Sequence, residues 1–234
     1  MINHNYIEQN SIEWHEIKWR KIGGTLSKGL FIDSETLFLE ILSQHLEEFE
    51  ISESFENEAM QRGKELEPYA LEYISQYTGI QFLKSGWLEC EENSLLGISP
   101  DGISECEEFA TEIKCLSRKE HTRLLVEDEL PKDKLCQIIH YFTVNPKLKK
   151  LYFIAFRPES IKPYIKEFTR KSIIDLGWKN KVEVKQYGVK GQEIKPKIES
   201  ITDSKTIEQW AKIALEEANN LQTKITETIN KLNF

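Results

Sequence analysis

The chain has 234 residues, 39% of them hydrophobic and 30% charged, enough apolar side chain for a core within a heavily charged exterior. No apolar run approaches the roughly 18 residues of a membrane span, and the opening MINHNYIEQNSIEW lacks the charged and apolar regions of a secretory signal. With 31 Lys and Arg against 39 Asp and Glu, the net charge is −8, which by itself speaks against a nucleic-acid partner.

The charge is unevenly spread. Residues 46–58 hold six glutamates and no Lys or Arg, whereas residues 178–198 hold six lysines against two glutamates. Either run can be an ordinary solvated face. Cys90, Cys106, Cys115 and Cys136 form no C-x-x-C pair, and the five histidines stand singly. Neither zinc nor an iron–sulfur cluster is expected, and a reduced, cytoplasmic protein is.

In chain order, the spacing predicts a helix over 12–21, closed by Gly23-Gly24, and a second over 34–49 with Leu37, Phe38, Ile41, Leu42 and Leu46 on one face. A loose acidic connection near 47–60 leads to a third helix over 58–78, stopped by Gly79. The period then shortens. GWLEC, LLGIS and FATEIKC are bounded by turn residues and alternate as strands do. A helix follows at 133–144, then a buried strand at 151–156, a Lys-rich strand pair within 178–198 and a long helix over 203–232. Helices flanking a central mixed sheet make the class α/β, or α+β on a stricter definition, in one domain spanning residues 1–234.

The chemistry concentrates at residues 97–116, GISPDGISECEEFATEIKCL. Asp101 precedes Glu112 by 11 positions and Lys114 follows two later, the pattern PD-(x10)-E-x-K. Ser99-Pro100-Asp101-Gly102 reads as a turn, so Asp101 sits beside a strand end across a short hairpin from Glu112. Strand alternation puts Phe109, Thr111, Ile113 and Cys115 on one side and Glu112 and Lys114 on the other. Two carboxylates, with the Ile113 carbonyl, suit the hard oxygen-seeking Mg²⁺ ion. Lys114 can then orient or help deprotonate an attacking water, or hold the scissile phosphate.

Glu67 in RGKELEP is a candidate third carboxylate, able to hold a second ion or a water; alternatively it is an acid favoured at a helix N-terminus. Gln137 and Tyr141 lie four apart, share a helix face and suit contacts to phosphate or water.

Taken in order, these motifs resemble the phage lambda-type alkaline exonucleases, the YqaJ-like viral recombinase family of the PD-(D/E)xK nuclease superfamily. The resemblance runs over roughly residues 11–158. It includes Glu13-Trp14, Arg20, Gly23-Gly24-Thr25-x-Ser27, RGKELEP at 62–68, GISPDG at 97–102, EIKC at 112–115 and Gln137-x-x-x-Tyr141. It implies a restriction-endonuclease-like core in which Asp101, Glu112 and Glu67 bind Mg²⁺ or Mn²⁺ and Lys114 assists the water. Arg20, Thr25 and Ser27 would match the region that holds a DNA phosphate, with threonine at 25 where the family often has serine. Gln137 and Tyr141 would match the helix beside the active site.

Family members digest one strand of duplex DNA from a 5′ end and leave a 3′ overhang for a single-strand annealing protein. Some form homo-oligomeric rings, trimers that enclose DNA. Two other functions fit the same residues: an endonuclease of this fold in restriction or repair, and a catalytically silent DNA-binding recombination module.

Overall fold

The computed structural model describes residues 1–4, 6–50, 58–177, 179–187 and 193–232, with only the backbone course for 179–187 and 193–202. Much of the acidic connection expected near 47–60 lies outside the described residues.

Strand β1 (Ile2–His4) opens the chain. Helix α1 (Ile12–Lys18) starts where Ser11 Oγ accepts the Trp14 amide, an N-cap bond. It stops short of the expected residue 21 because Trp19 turns to ψ 134° and Arg20 adopts the left-handed region at φ 65°. A 3-10 turn covers Ser27–Leu30. Helix α2 (Ser34–Leu46), capped by Asp33, ends where Glu47 turns extended rather than at 49. Helix α3 (Glu58–Thr78) covers the expected span, and Gly79 at φ 70° stops it.

Short strands follow: β2 (Trp87–Glu89), β3 (Gly97–Ile98), β4 (Gly102–Ile103) and the longer β5 (Phe109–Lys114). Helices α4 (Arg118–Glu127) and α5 (Lys132–Val144) lead to β6 (Lys150–Ala155), β7 (Tyr164–Thr169) and β8 (Ile173–Ile174). Strands β9 (Lys179–Tyr187) and β10 (Glu193–Thr202) pair antiparallel, as the Lys-rich strand pair requires. Their register shifts between Ile194 and Lys197, around Pro196, which has no amide to offer a ladder. Strand β11 (Lys205–Thr206) leads into the long helix α6 (Ile207–Lys231).

The central sheet has the order β4–β5–β6–β7. Strands β5 and β6 run parallel and the outer pairs antiparallel, so the sheet is mixed. A parallel pair needs a long crossover, supplied here by α4 and α5. A smaller antiparallel sheet, β1–β2–β3, lies beside it.

Alternation along β5 divides its side chains between two packed faces. Ile113 joins Ala70 and Ile74 of α3, Phe82, Tyr152 and Ile154, with Phe109 and Cys115 packed against them. Ala110 joins the larger cluster built from α2, α5 and α6. Burying a large apolar side chain stabilises by about 1.5–3 kcal/mol. The α6 stripe Ile207, Trp210, Leu221 and Ile225 therefore anchors that helix firmly against α5 and α2. Glu112 falls on the α5 face, opposite α3.

Candidate active site

The register Gly102↔Thr111 puts Asp101 beside Glu112 on the adjacent strand. Asp101 Oδ2 accepts the Ile113 amide at 2.6 Å. In a strand the amide and carbonyl of one residue face the same neighbour, so the Ile113 carbonyl points to the flank where Asp101 lies.

Glu112 is 2% exposed, yet both of its oxygens are engaged. Oε1 accepts from Gln137 Nε2 at 2.7 Å and pairs with the Lys114 ammonium, while Oε2 accepts from the Tyr141 hydroxyl at 2.5 Å. Helix α5 supplies both neutral donors from one face, one turn apart. The structure thus brings Asp101, Glu112, Lys114, Gln137 and Tyr141 together at a cavity of about 400 Å³.

The electrostatics follow from burying two carboxylates side by side. Burial, then Glu112 and more weakly Glu67, push Asp101 up to about 8, against the pull of Lys114 and the Ile113 amide. Burial drags the Lys114 ammonium down, but Glu112 and Asp101 outweigh it and hold it above the usual lysine range. Burial and the Glu112 charge push the Tyr141 phenol well above its ordinary value, so it remains a donor.

Two repelling carboxylates and a nearby carbonyl form a hard-oxygen set that a divalent cation would relieve. Among the described residues, no three His, Cys, Asp or Glu side chains converge tightly enough to hold an ion on their own. Mg²⁺ commonly takes one or two carboxylates and completes its shell with water and phosphate oxygens, so the pair fits it.

Glu67 does not join the pair. It lies mid-helix in α3, and its Oε1 is paired with Lys84 Nζ at 2.9 Å. Its charge still reaches Asp101. Arg20 is also elsewhere. Its left-handed backbone turns the guanidinium onto the end of α2, where Nε donates to Gln44 O at 2.8 Å and Nη2 to Glu47 O at 3.1 Å. Thr25 is exposed and lines the cavity, whereas Ser27 is buried and its Oγ donates to Gly24 O at 2.6 Å. A Cβ at Gly24 would come within 2.8 Å of Gln137 Nε2, so a larger residue there would displace the Gln137 side chain.

Sequence reasoning passed over two residues. Lys18 lines the cavity, its Nζ 3.3 Å from the Trp14 ring centroid, and burial lowers it to about 8. Its place one helical turn after Trp14 was the available signal. His140 is fully buried and donates through Nε2 to both Ile22 O and Gly97 O at 3.0 Å, pinning the glycine loop to β3. A lone histidine on an apolar helix face carries no such signal.

Residues 13–147 match the YqaJ-like viral recombinase domain. Among solved structures, the chain is similar to an alkaline exonuclease (LHK-Exo) from Laribacter hongkongensis, at 17% identity and a TM-score of 0.67, covering 95% of this chain and 96% of that one. It is likewise similar to LHK-Exo in complex with dAMP, at 17% identity and a TM-score of 0.66, covering 95% and 98%. At that identity the likeness shows the fold, and with it the restriction-endonuclease-like α/β core. No curated protein matches the sequence. With more than half of its residues inside the domain match, this chain belongs to the YqaJ-like viral recombinase family.

Proposed function

We propose that the chain is a metal-dependent DNA exonuclease, acting 5′ to 3′ on linear duplex DNA in phage-type recombination. The observation that carries this reading is the convergence of Asp101, Glu112 and Lys114 at one cavity, from two adjacent strands. Exonuclease action is favoured because the solved structures it resembles are of an alkaline exonuclease, one of them complexed with a nucleotide.

In this reading Asp101, Glu112 and the Ile113 carbonyl hold Mg²⁺ or Mn²⁺, with Glu67 acting on the site through its charge. The cation supplies Lewis-acid stabilisation of the charge that builds on the phosphate during hydrolysis. Lys114 orients the attacking water and neutralises part of that charge. Gln137 and Tyr141 fix the Glu112 carboxylate, so its lone pairs are aimed before substrate arrives. Lys18 and Thr25, which face the cavity, hold a DNA phosphate; Arg20 and Ser27 support the segment that carries them. The strand left behind passes to a single-strand annealing protein, and the enzyme works in the cytoplasm as a homo-oligomeric ring on double-stranded DNA.

End-labelled linear duplexes and closed circular DNA, incubated with Mg²⁺ or Mn²⁺, test the proposal. Mononucleotide release from 5′ ends, abolished in Asp101→Ala and by chelation, is expected. Nicking of the circle would make the protein an endonuclease. No release under either ion would leave a silent DNA-binding module.

A further inference from the structure

Asp101 lies in the turn Ser99-Pro100-Asp101 between β3 and β4, and the segment before the matched domain closes against that turn. Gly86 marks how tightly it closes. A Cβ there would lie 2.2 Å from Ile7 O and 2.5 Å from His4 O, so no larger residue is tolerated. From this strap Gln9 reaches inward, and its Nε2 donates to Ser85 O at 2.6 Å and to Pro100 O at 3.0 Å. Both amide hydrogens are thereby used. Ser99 closes the same seam, donating to Gly86 O at 2.5 Å and accepting from Trp14 Nε1 at 3.0 Å.

The Pro100 carbonyl belongs to the peptide unit that ends at the Asp101 Cα, and that unit is planar. Holding its oxygen sets the rotation of the whole plane, and with it the direction in which the Asp101 side chain leaves the backbone. The carboxylate is held independently at its far end by the Ile113 amide. Asp101 is thus aimed from both ends, once from β5 and once from the strap. Gln9 also lines both the cavity of Asp101 and the neighbouring one around Glu67 and Lys84, so it stands where the two adjoin.

We propose that Gln9 is a positioning residue for Asp101, setting the direction of that carboxylate through the Pro100 peptide plane. The inference rests on the divalent-cation reading of Asp101 and Glu112. Outer partners of this kind typically change metal affinity or activity by roughly 10- to 100-fold when removed.

The test is Mn²⁺ binding to the metal-free protein, followed by paramagnetic resonance, with thermal unfolding recorded for every variant. Gln9→Met keeps the volume and loses both donors; Gln9→Glu turns a carboxylate toward two carbonyls. Both should weaken Mn²⁺ binding roughly 10- to 100-fold and lower kcat while leaving the KM for DNA unchanged. Asn3→Ala cuts a different tether of the same strap, the 3.1 Å bond from Asn3 Nδ2 to Glu107 Oε1, and should bind Mn²⁺ like the wild type. Wild-type affinity in the Gln9 variants, or an equal loss in Asn3→Ala, overturns the assignment. If neither Gln9 variant folds, the strap is a folding element and the assignment falls as well. A wild type that binds no Mn²⁺, like Asp101→Ala, overturns the cation reading and takes this inference with it.

Discussion

His140 makes the protein's acid stability open to direct test. The ring is fully buried, and burial lowers its pKa to about 4, against the help it receives from the Gly97 and Ile22 carbonyls. In the unfolded chain a histidine titrates near 6.5. The unfolded state therefore binds the extra proton between about pH 6.5 and about pH 4. The contribution to stability is complete above the upper value and is lost as the pH falls toward the lower one. At 1.36 kcal/mol per unit the whole effect is about 3 kcal/mol, of which about 2 kcal/mol has gone by about pH 5.

Urea unfolding of the wild type and His140→Gln at about pH 7.5 and about pH 5 measures it. Glutamine carries two amide hydrogens but on a side chain of different shape, so one of the two carbonyl bonds is expected to fail, and it cannot titrate. At the higher pH the variant should be less stable by about 1 kcal/mol, the worth of one lost neutral hydrogen bond. Between the two pH values the wild type should lose about 2 kcal/mol more than the variant. Other groups titrate in both proteins and cancel in the difference. Parallel pH profiles, or a His140 resonance titrating near 6.5, would refute the reasoning.

Tyr141→Phe leaves Glu112 Oε2 buried without its donor, so it should destabilise the metal-free protein by about 2 kcal/mol; the loss should shrink when Mg²⁺ is added, as thermal unfolding with and without the ion will show. Gly24→Ala should push the Gln137 amide off Glu112 and lower kcat by about 10-fold. Gln137→Ala should lower it equally, and the double variant should add nothing, because both act on one bond; additive losses in single-turnover assays would separate them. Lys114→Ala should keep most Mn²⁺ affinity and lose most turnover, whereas Asp101→Ala should lose both; equal losses of Mn²⁺ affinity in titrations of the two variants would contradict that division of labour.

What is legible in the sequence depends on which spacing rule governs it. Asp101, Glu112 and Lys114 could be placed together because strand alternation and a short hairpin determine side-chain direction within a few residues. Gln137 and Tyr141 followed from one turn of helix. Glu67 was less legible: its ion pair is with Lys84, while its charge reaches Asp101 and Lys114. Its helix was readable, but periodicity states which residues share a face, not which side of the sheet the helix packs on. Here α3 covers the Ile113 face while Glu112 faces α5. Arg20 is placed by a local feature, since its left-handed backbone at the end of α1 sets its guanidinium on the end of α2, while Lys18 lines the cavity. Helix α4 was missed despite a readable signal, the capping box of Ser117 and Glu120. Strand β7 alternates too weakly to stand out, with two buried positions among half-exposed ones.

Net charge was the least informative feature, for a reason the site makes plain. Exposed charges more than about 8 Å apart are largely screened at physiological salt, so a phosphate entering the cavity responds to the groups lining it rather than to the total of −8. Those groups include Lys18, His15, Lys21 already paired with Glu89, the neutral donors Gln137 and Tyr141, and the Asp101–Glu112–Lys114 cluster. The Lys114 charge is already committed to Glu112. Without a further cation, burial beside Glu112 keeps the Asp101 carboxyl protonated up to about pH 8, and the Glu112–Lys114 pair cancels, so the cluster offers a phosphodiester no net positive charge. A divalent cation held by Asp101 and Glu112 would displace that proton and leave net positive charge where the phosphate must sit. In the proposed reading the positive charge that meets the phosphate therefore comes chiefly from a bound cation, which makes the aim of Asp101 the most consequential geometric detail of the site.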